Sequence, residues 1–298
     1  MLKKSIYFSL LCLICVNIVG CSLNKDEKSD TTDKNKPEST TETSTVEKPS
    51  KDKDTPPPSI EKVDASNLDN TSISWFFTPN DDHKTPGVNN NLSFELKDYD
   101  AIYTGPTTND CKTLYLTFDE GYENGYTSKI LDVLKEKKVQ AVFFVTLPYI
   151  EDNPDLIKRM VDEGHVVGNH SNHHPAMPDK SSDVTSFDSE FTDVEAKYKE
   201  LTGKEMVKLF RPPMGVYSEK SLAMTKNLGY KSVFWSFAYY DWDQEKQPKP
   251  TEAKEKIMNH LHDGSILLLH AVSETNTNIL GDVIDSARDI GYKFELLK

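Results

Sequence analysis

Leu114-Tyr115-Leu116-Thr117-Phe118 is an apolar run of strand length that stops at Asp119-Glu120-Gly121. Ser128 to Lys138 follows, with apolar residues at Ile130, Leu131 and Leu134 on one helical face. The same alternation repeats to the C terminus. Strands are expected at Ala141–Val145, Val166-Val167, Lys208–Arg211, Lys231–Ser236, Ser265–Leu269 and Tyr292–Leu297. Helices are expected at Pro154–Glu163, Ser186–Leu201, Ser218–Leu228, Thr251–His262 and Thr277–Ile290. Proline opens the first of these and Gly229 closes the third. Runs without polar interruption, such as Ile266 to Leu269, suit strands covered on both faces. About seven strands alternating with helices specify an α/β fold with a parallel sheet. A distorted, closed or nearly closed (β/α) barrel is the leading architecture, and a doubly wound open sheet is the alternative.

The polar residues that interrupt this pattern fall at the C-terminal ends of strands, the face on which β/α barrels build active sites. Asp119 and Glu120 end the first strand, His170 the third, Arg211 the fourth and His270 the sixth, while Asp241 follows the fifth. Taken singly, each has an ordinary structural role; acid, His, Arg, acid and His on the same end of five strands do not. If the segment His170-Ser171-Asn172-His173-His174-Pro175 makes one helical turn, His170 and His174 share a direction and can share a metal ion. His173 then faces elsewhere. Of the two adjacent acids, one can ligate metal while the other takes a proton from water. His270 is placed to protonate a leaving group, Asp241 to orient its imidazole, and Arg211 is stiffened by Pro212-Pro213.

These motifs, Thr117-Phe118-Asp119-Glu120-Gly121, His170-Ser171-Asn172-His173-His174-Pro175, Arg211-Pro212-Pro213, Asp241-Trp242 and Leu268-Leu269-His270, resemble in order and spacing those of the polysaccharide deacetylase family, the NodB-homology domain or carbohydrate esterase family 4. The text from Thr117 to Thr127, Leu269-His270-Ala271-Val272-Ser273 and Trp75-Phe76-Phe77 look most like its delta-lactam-biosynthetic branch of peptidoglycan N-acetylmuramic acid deacetylases linked to the spore cortex. The resemblance implies a divalent metal, usually zinc, and hydrolysis of an N-acetyl group. It makes Asp119 the general base, His170 and His174 metal ligands, Arg211 the partner of Asp119, and Asp241 the residue orienting the acid His270. It places the backbone N–H of Met214 at the oxyanion, and a separate amidase upstream in the substrate's preparation. The chain departs at Glu120, where most members have aspartate and the muramic branch often has asparagine; glutamate is one methylene longer as a third metal ligand. An N-acetylglucosamine deacetylase of wall or biofilm polymer and an inactive wall-binding module are the alternatives.

Outside this domain, expected over 111–298, the composition changes. Lys3 and Lys4 precede an apolar stretch from Ser5 to Gly20 that is short for a membrane span and ends in Ile18-Val19-Gly20-Cys21. This resembles a bacterial lipoprotein signal over 1–20, with Cys21 as the lipidation site and the remainder anchored outside the cytoplasm, facing the cell wall. An uncleaved N-terminal anchor is the alternative. Residues 21–71 are rich in Lys, Asp, Glu, Ser, Thr and Pro and are expected to be a flexible linker. Residues 72–110, opening with Trp75-Phe76-Phe77, are expected to pack on the barrel as an extension. The four cysteines leave Cys111 alone once Cys12, Cys15 and Cys21 are assigned to the signal, so no internal disulfide is expected. A net charge of −13 argues against a nucleic-acid partner; peptidoglycan glycan strands are the partner that the family resemblance implies.

Overall fold

The computed structural model describes residues 62–108 and 110–298. The signal segment, Cys21 and the linker up to residue 61 lie outside the described residues. Residues 62–71, the end of the expected linker, are described, and there the N–H and C=O of Val63 are both bound by the Asn227 side-chain amide at 2.8 Å. Among the described residues, no helix is long and apolar enough to cross a membrane.

The strands are β1 (Ile73–Ser74), β2 (Phe77–Thr78), β3 (Gly87–Val88), β4 (Ala101–Ile102), β5 (Lys112–Glu120), β6 (Val142–Val145), β7 (Val166–Asn169), β8 (Leu209–Phe210), β9 (Val216–Tyr217), β10 (Lys231–Val233), β11 (Ser265–His270) and β12 (Tyr292–Phe294). The helices are α1 (Thr127–Lys137), α2 (Leu147–Asp152), α3 (Pro154–Asp162), α4 (Met177–Lys180), α5 (Val184–Thr202), α6 (Glu219–Asn227), α7 (Pro250–Asn259) and α8 (Glu274–Asp289).

One sheet runs β11-β5-β6-β7-β8-β10-β4, every pair parallel, and β12 adds to the first residues of β5. It curls far enough to meet itself. Just past β10, Phe237 N–H donates to Ile266 O at 3.3 Å and Leu268 N–H donates to Phe237 O at 2.9 Å, joining the chain after β10 to β11. The result is the distorted barrel that the alternation predicts. β4 was not legible: it comes from the N-terminal extension, which therefore joins the sheet itself.

Nearly every residue of β5, β6 and β11 is buried, as double-sided covering by helices requires. Leu116, Phe118, Phe143, Leu267 and Leu269 meet Ile130, Leu134, Val283 and Ile284 of the helical layer in the main core. Helix starts are fixed locally. Asp183 accepts from the N–H groups of Thr185 and Ser186, Ser218 and Ser221 cap α6 reciprocally, and Ser273 accepts from Asn276 N.

Candidate active site

Asp119, His170, His174, Met214 and His270 line one cavity of about 1130 Å³ at the C-terminal end of the strands. Arg211 and Asp241 stand behind its wall, both completely buried.

Asp119 ends β5 and faces inward. Its Oδ1 accepts from Arg211 Nη1 at 2.8 Å, and its Oδ2 lies 3.7 Å from His170 Nε2. Burial alone would penalise the charged carboxylate. The Arg211 guanidinium, followed by His170 and His270, outweighs burial and holds Asp119 below the usual carboxylate range. Arg211 is fixed in turn by Nε donating to Val233 O at 3.1 Å and by stacking over the Phe144 ring at 4.3 Å.

The histidine pair is not built by a helical turn. Residues 171–175 form a loop in which Ser171 and His174 have φ of 71° and 56°, both left-handed. The loop is tied by polar side chains: Asn169 Oδ1 accepts from Ser171 N–H at 2.8 Å, and Ser171 Oγ accepts from His174 N–H at 2.9 Å. Buried Glu190 of α5 accepts from His173 N–H at 2.8 Å and also meets the His173 ring, which is otherwise exposed. The outcome still brings the His170 and His174 rings together, with centroids 4.8 Å apart. His170 Nδ1 donates to Arg211 O at 2.8 Å; a carbonyl only accepts, so Nε2 keeps its lone pair. Burial pushes His170 down to about 4 and His174 below its ordinary value, so both are neutral at pH 7. Two neutral imidazoles, that of His170 with its other ring nitrogen anchored by a carbonyl, are the donor chemistry a divalent ion needs.

Glu120 does not join them. Successive side chains of a strand point to opposite faces, so Glu120 faces the helical layer, fully buried, with Thr127 Oγ1 at 3.4 Å and 3.5 Å from its two oxygens. Burial, then the charge of Glu123, raises its pKa well above the carboxylate range. Expected as the third metal ligand, Glu120 thus has its carboxyl on the helical-layer side of β5, beside Thr127. Among the described residues, no three His, Cys, Asp or Glu side chains form a ready metal site.

On the other side, His270 Nδ1 meets Asp241 Oδ1 at 2.7 Å, and His270 N–H donates to Asp241 Oδ2 at 2.9 Å. Burial disfavours the imidazolium, but the charge of Asp241 and its hydrogen bond outweigh burial and raise the His270 pKa. Asn276, in the first turn of α8, was missed by sequence reasoning. Its Nδ2 donates to Asp241 Oδ2 at 2.6 Å and to His270 O at 3.2 Å, while Tyr239 OH donates to its Oδ1. Gln247 ties the same loop, donating to Asp241 O at 2.8 Å and accepting from Ser273 Oγ at 2.5 Å. No motif announces either amide.

Met214 crowns the turn after Arg211 with φ 56°, and Gly215 follows at φ 65°. A Cβ on Gly215 would stand 2.8 Å from the Trp235 ring and 3.0 Å from Trp75 Cβ. Trp75 N–H donates to Gly215 O at 2.8 Å. The extension therefore braces the turn that carries the Met214 N–H.

Residues 107–233 match the family model described as polysaccharide deacetylase. An uncharacterised 30.6 kDa protein of Geobacillus stearothermophilus is 45% identical over 77% of this chain and 85% of its own length. The peptidoglycan-N-acetylmuramic acid deacetylase PdaA of Bacillus subtilis is 44% identical over 78% of this chain and 86% of its own. The solved structure of B. subtilis PdaA, a family 4 carbohydrate esterase, superposes with a TM-score of 0.73 at 43% identity, covering 77% of this chain and 96% of that one. A peptidoglycan-N-acetylglucosamine deacetylase of Bacillus cereus is 30% identical over 64% of this chain and 89% of its own. With strand ends, site and long-range likeness in agreement, the chain belongs to the polysaccharide deacetylase family.

Proposed function

We propose that this enzyme hydrolyses N-acetyl groups on peptidoglycan glycan strands, with N-acetylmuramic acid as the acetylated sugar and muramic delta-lactam as the downstream product. The observation that carries the reading is the opposition of two prepared groups in one cavity: a carboxylate whose ionised form Arg211 favours, and an imidazole whose protonated form Asp241 favours. The muramic choice is supported by 44% identity to PdaA against 30% to the N-acetylglucosamine deacetylase.

Amide hydrolysis needs both groups. Asp119 Oδ2 takes a proton from the attacking water as its oxygen bonds to the acetyl carbon. The carbonyl electrons move to oxygen, where the Met214 N–H stands to donate. When the C–N bond breaks, His270 Nε2 gives its proton to nitrogen, so an amine leaves instead of an amide anion; acetate is the second product. His170 and His174 are the residues that would hold a divalent ion, zinc by preference, which supplies Lewis-acid polarisation of the carbonyl and the water. We propose further that lipidation at Cys21 anchors the enzyme at the wall-facing surface, in sporulating cells, where it acts after an amidase has stripped the stem peptide.

The test is acetate release from peptide-stripped and intact glycan strands, with mass spectrometry of the digested product. Muramic acid or its lactam supports the reading. Glucosamine alone would move the enzyme to the N-acetylglucosamine class, and no acetate from either substrate would reject deacetylation.

A further inference from the structure

Four aromatic side chains are strongly exposed among the described residues: Phe76, Tyr122, Tyr240 and Trp242. All four line the same cavity as Asp119 and His270. Scattered exposed aromatics need no explanation, but exposure confined to one cavity marks a binding surface. Trp242 lies beside the acid, 5.7 Å from the His270 ring, and packs on Tyr240 at 4.3 Å. Phe76 is different: it comes from the N-terminal extension, outside the residues 107–233 that match the family model.

The backbone around Phe76 is held firmly although its ring is 60% exposed. Asn89 accepts from Phe76 N–H at 2.9 Å and donates to Ser74 O at 3.1 Å, clamping both sides of Trp75. Trp75 is the pin. Its ring stacks on Phe234 at 4.4 Å, its Nε1 donates to Trp235 O at 3.0 Å, and its N–H binds the Gly215 turn. One residue on, Phe77 pairs with Val88 across β2 and β3. A side chain kept in water on a rigid backbone loses little freedom when a ligand covers it, so it contributes to affinity efficiently.

We infer that Phe76 is a sugar-binding residue, stacking on a pyranose ring of the same glycan strand beside the sugar that is deacetylated. This rests on the proposed activity and names what its substrate must be: a polymer, not an isolated acetylated sugar. The C–H face of a pyranose is the apolar, flat partner that an exposed phenyl ring fits, and the cavity containing Asp119 obliges neighbouring sugars to pass its rim.

The experiment compares the full chain with Phe76→Ala and Phe76→Trp on peptide-free glycan strands of increasing length, from a single acetylated sugar upward. The exposure of the ring leaves folding to its neighbours, and thermal melting of each variant checks this. In the parent, kcat/KM should rise with length. Phe76→Ala should remove most of that gain through KM, about tenfold on long strands, the scale of burying part of one aromatic ring, and Phe76→Trp should restore it. An unchanged length dependence in Phe76→Ala overturns the inference, and so does an equal loss at every length. If the parent releases no acetate from any glycan, the proposed activity fails instead. Strand binding by calorimetry to the parent and Phe76→Ala then decides the inference separately: equal affinities reject it, and a tenfold difference sustains it.

Discussion

Asp119 and Glu120 are neighbours in β5 whose carboxyls lie on opposite sides of the sheet. Asp119 meets Arg211 and His170 in the cavity, while Glu120 meets Thr127 in the helical layer. Their environments separate them further: cationic neighbours hold Asp119 ionised, and burial with Glu123 nearby favours the protonated form of Glu120.

Glu120→Gln puts a neutral group of the same shape in place of a buried acid whose protonated form is favoured. Divalent-ion affinity, read by calorimetry, and kcat should stay within about a factor of five, less than roughly 1 kcal/mol. Loss of ion binding would return Glu120 to the ligand set. Stability supplies an independent check with a defined sign. The folded pKa of Glu120 lies above its unfolded value, so folding holds a proton that the unfolded chain releases, and this group's contribution falls as pH rises through the folded pKa. The variant should therefore gain on the parent in Tm as pH increases.

Arg211→Met tests the pair from the other end. Removing the guanidinium leaves a buried carboxylate without its partner, at a cost of about 3–5 kcal/mol in chemical denaturation. The base must be ionised to act. With its main cationic neighbour gone, the Asp119 pKa rises, so the acidic limb of kcat/KM should move to higher pH. An unmoved limb would mean that Asp119 is not the group seen in the profile.

The barrel was legible because its signal is periodic: apolar runs and helical spacing survive in one dimension, and residues at strand ends must share a face. Asp119, His170, Arg211 and His270 were found for that reason. What was hidden depends on side-chain direction or on loops. Alternation in β5 separates Asp119 from Glu120, although adjacency makes them look like partners. The spacing of His170 and His174 reads as a helical turn, yet two left-handed residues and the Asn169 and Ser171 side chains produce the proximity. Asn276 and Gln247 act through hydrogen bonds across loops, and β4 is two residues long, so no pattern exposes them.

Gly215→Ala adds a Cβ against Trp235 and Trp75 at a left-handed backbone position. Strain and overpacking should cost about 1–3 kcal/mol. If the Met214 N–H serves the oxyanion, displacement of this turn lowers kcat more than KM. A variant with a lower Tm but unchanged kcat would remove Met214 from the mechanism.

Asp241 and Asn276 should be separable by degree. Asp241→Asn deletes the charge that raises the His270 pKa. The acid works only while protonated, and activity falls as pH rises through its pKa, so the basic limb should shift to lower pH. The loss in kcat should be about 10²–10⁴-fold, the range of general acid–base catalysis. Asn276→Leu keeps the charge but removes the donor at 2.6 Å that fixes the orientation of Asp241. One hydrogen bond to a charged group is worth about 1.5–3 kcal/mol, so a loss of about 10- to 150-fold in kcat is expected. The double variant should be little worse than Asp241→Asn alone, because the amide acts through the carboxyl. Additive losses would show that Asn276 works by its second contact, the His270 carbonyl at 3.2 Å, and not through Asp241.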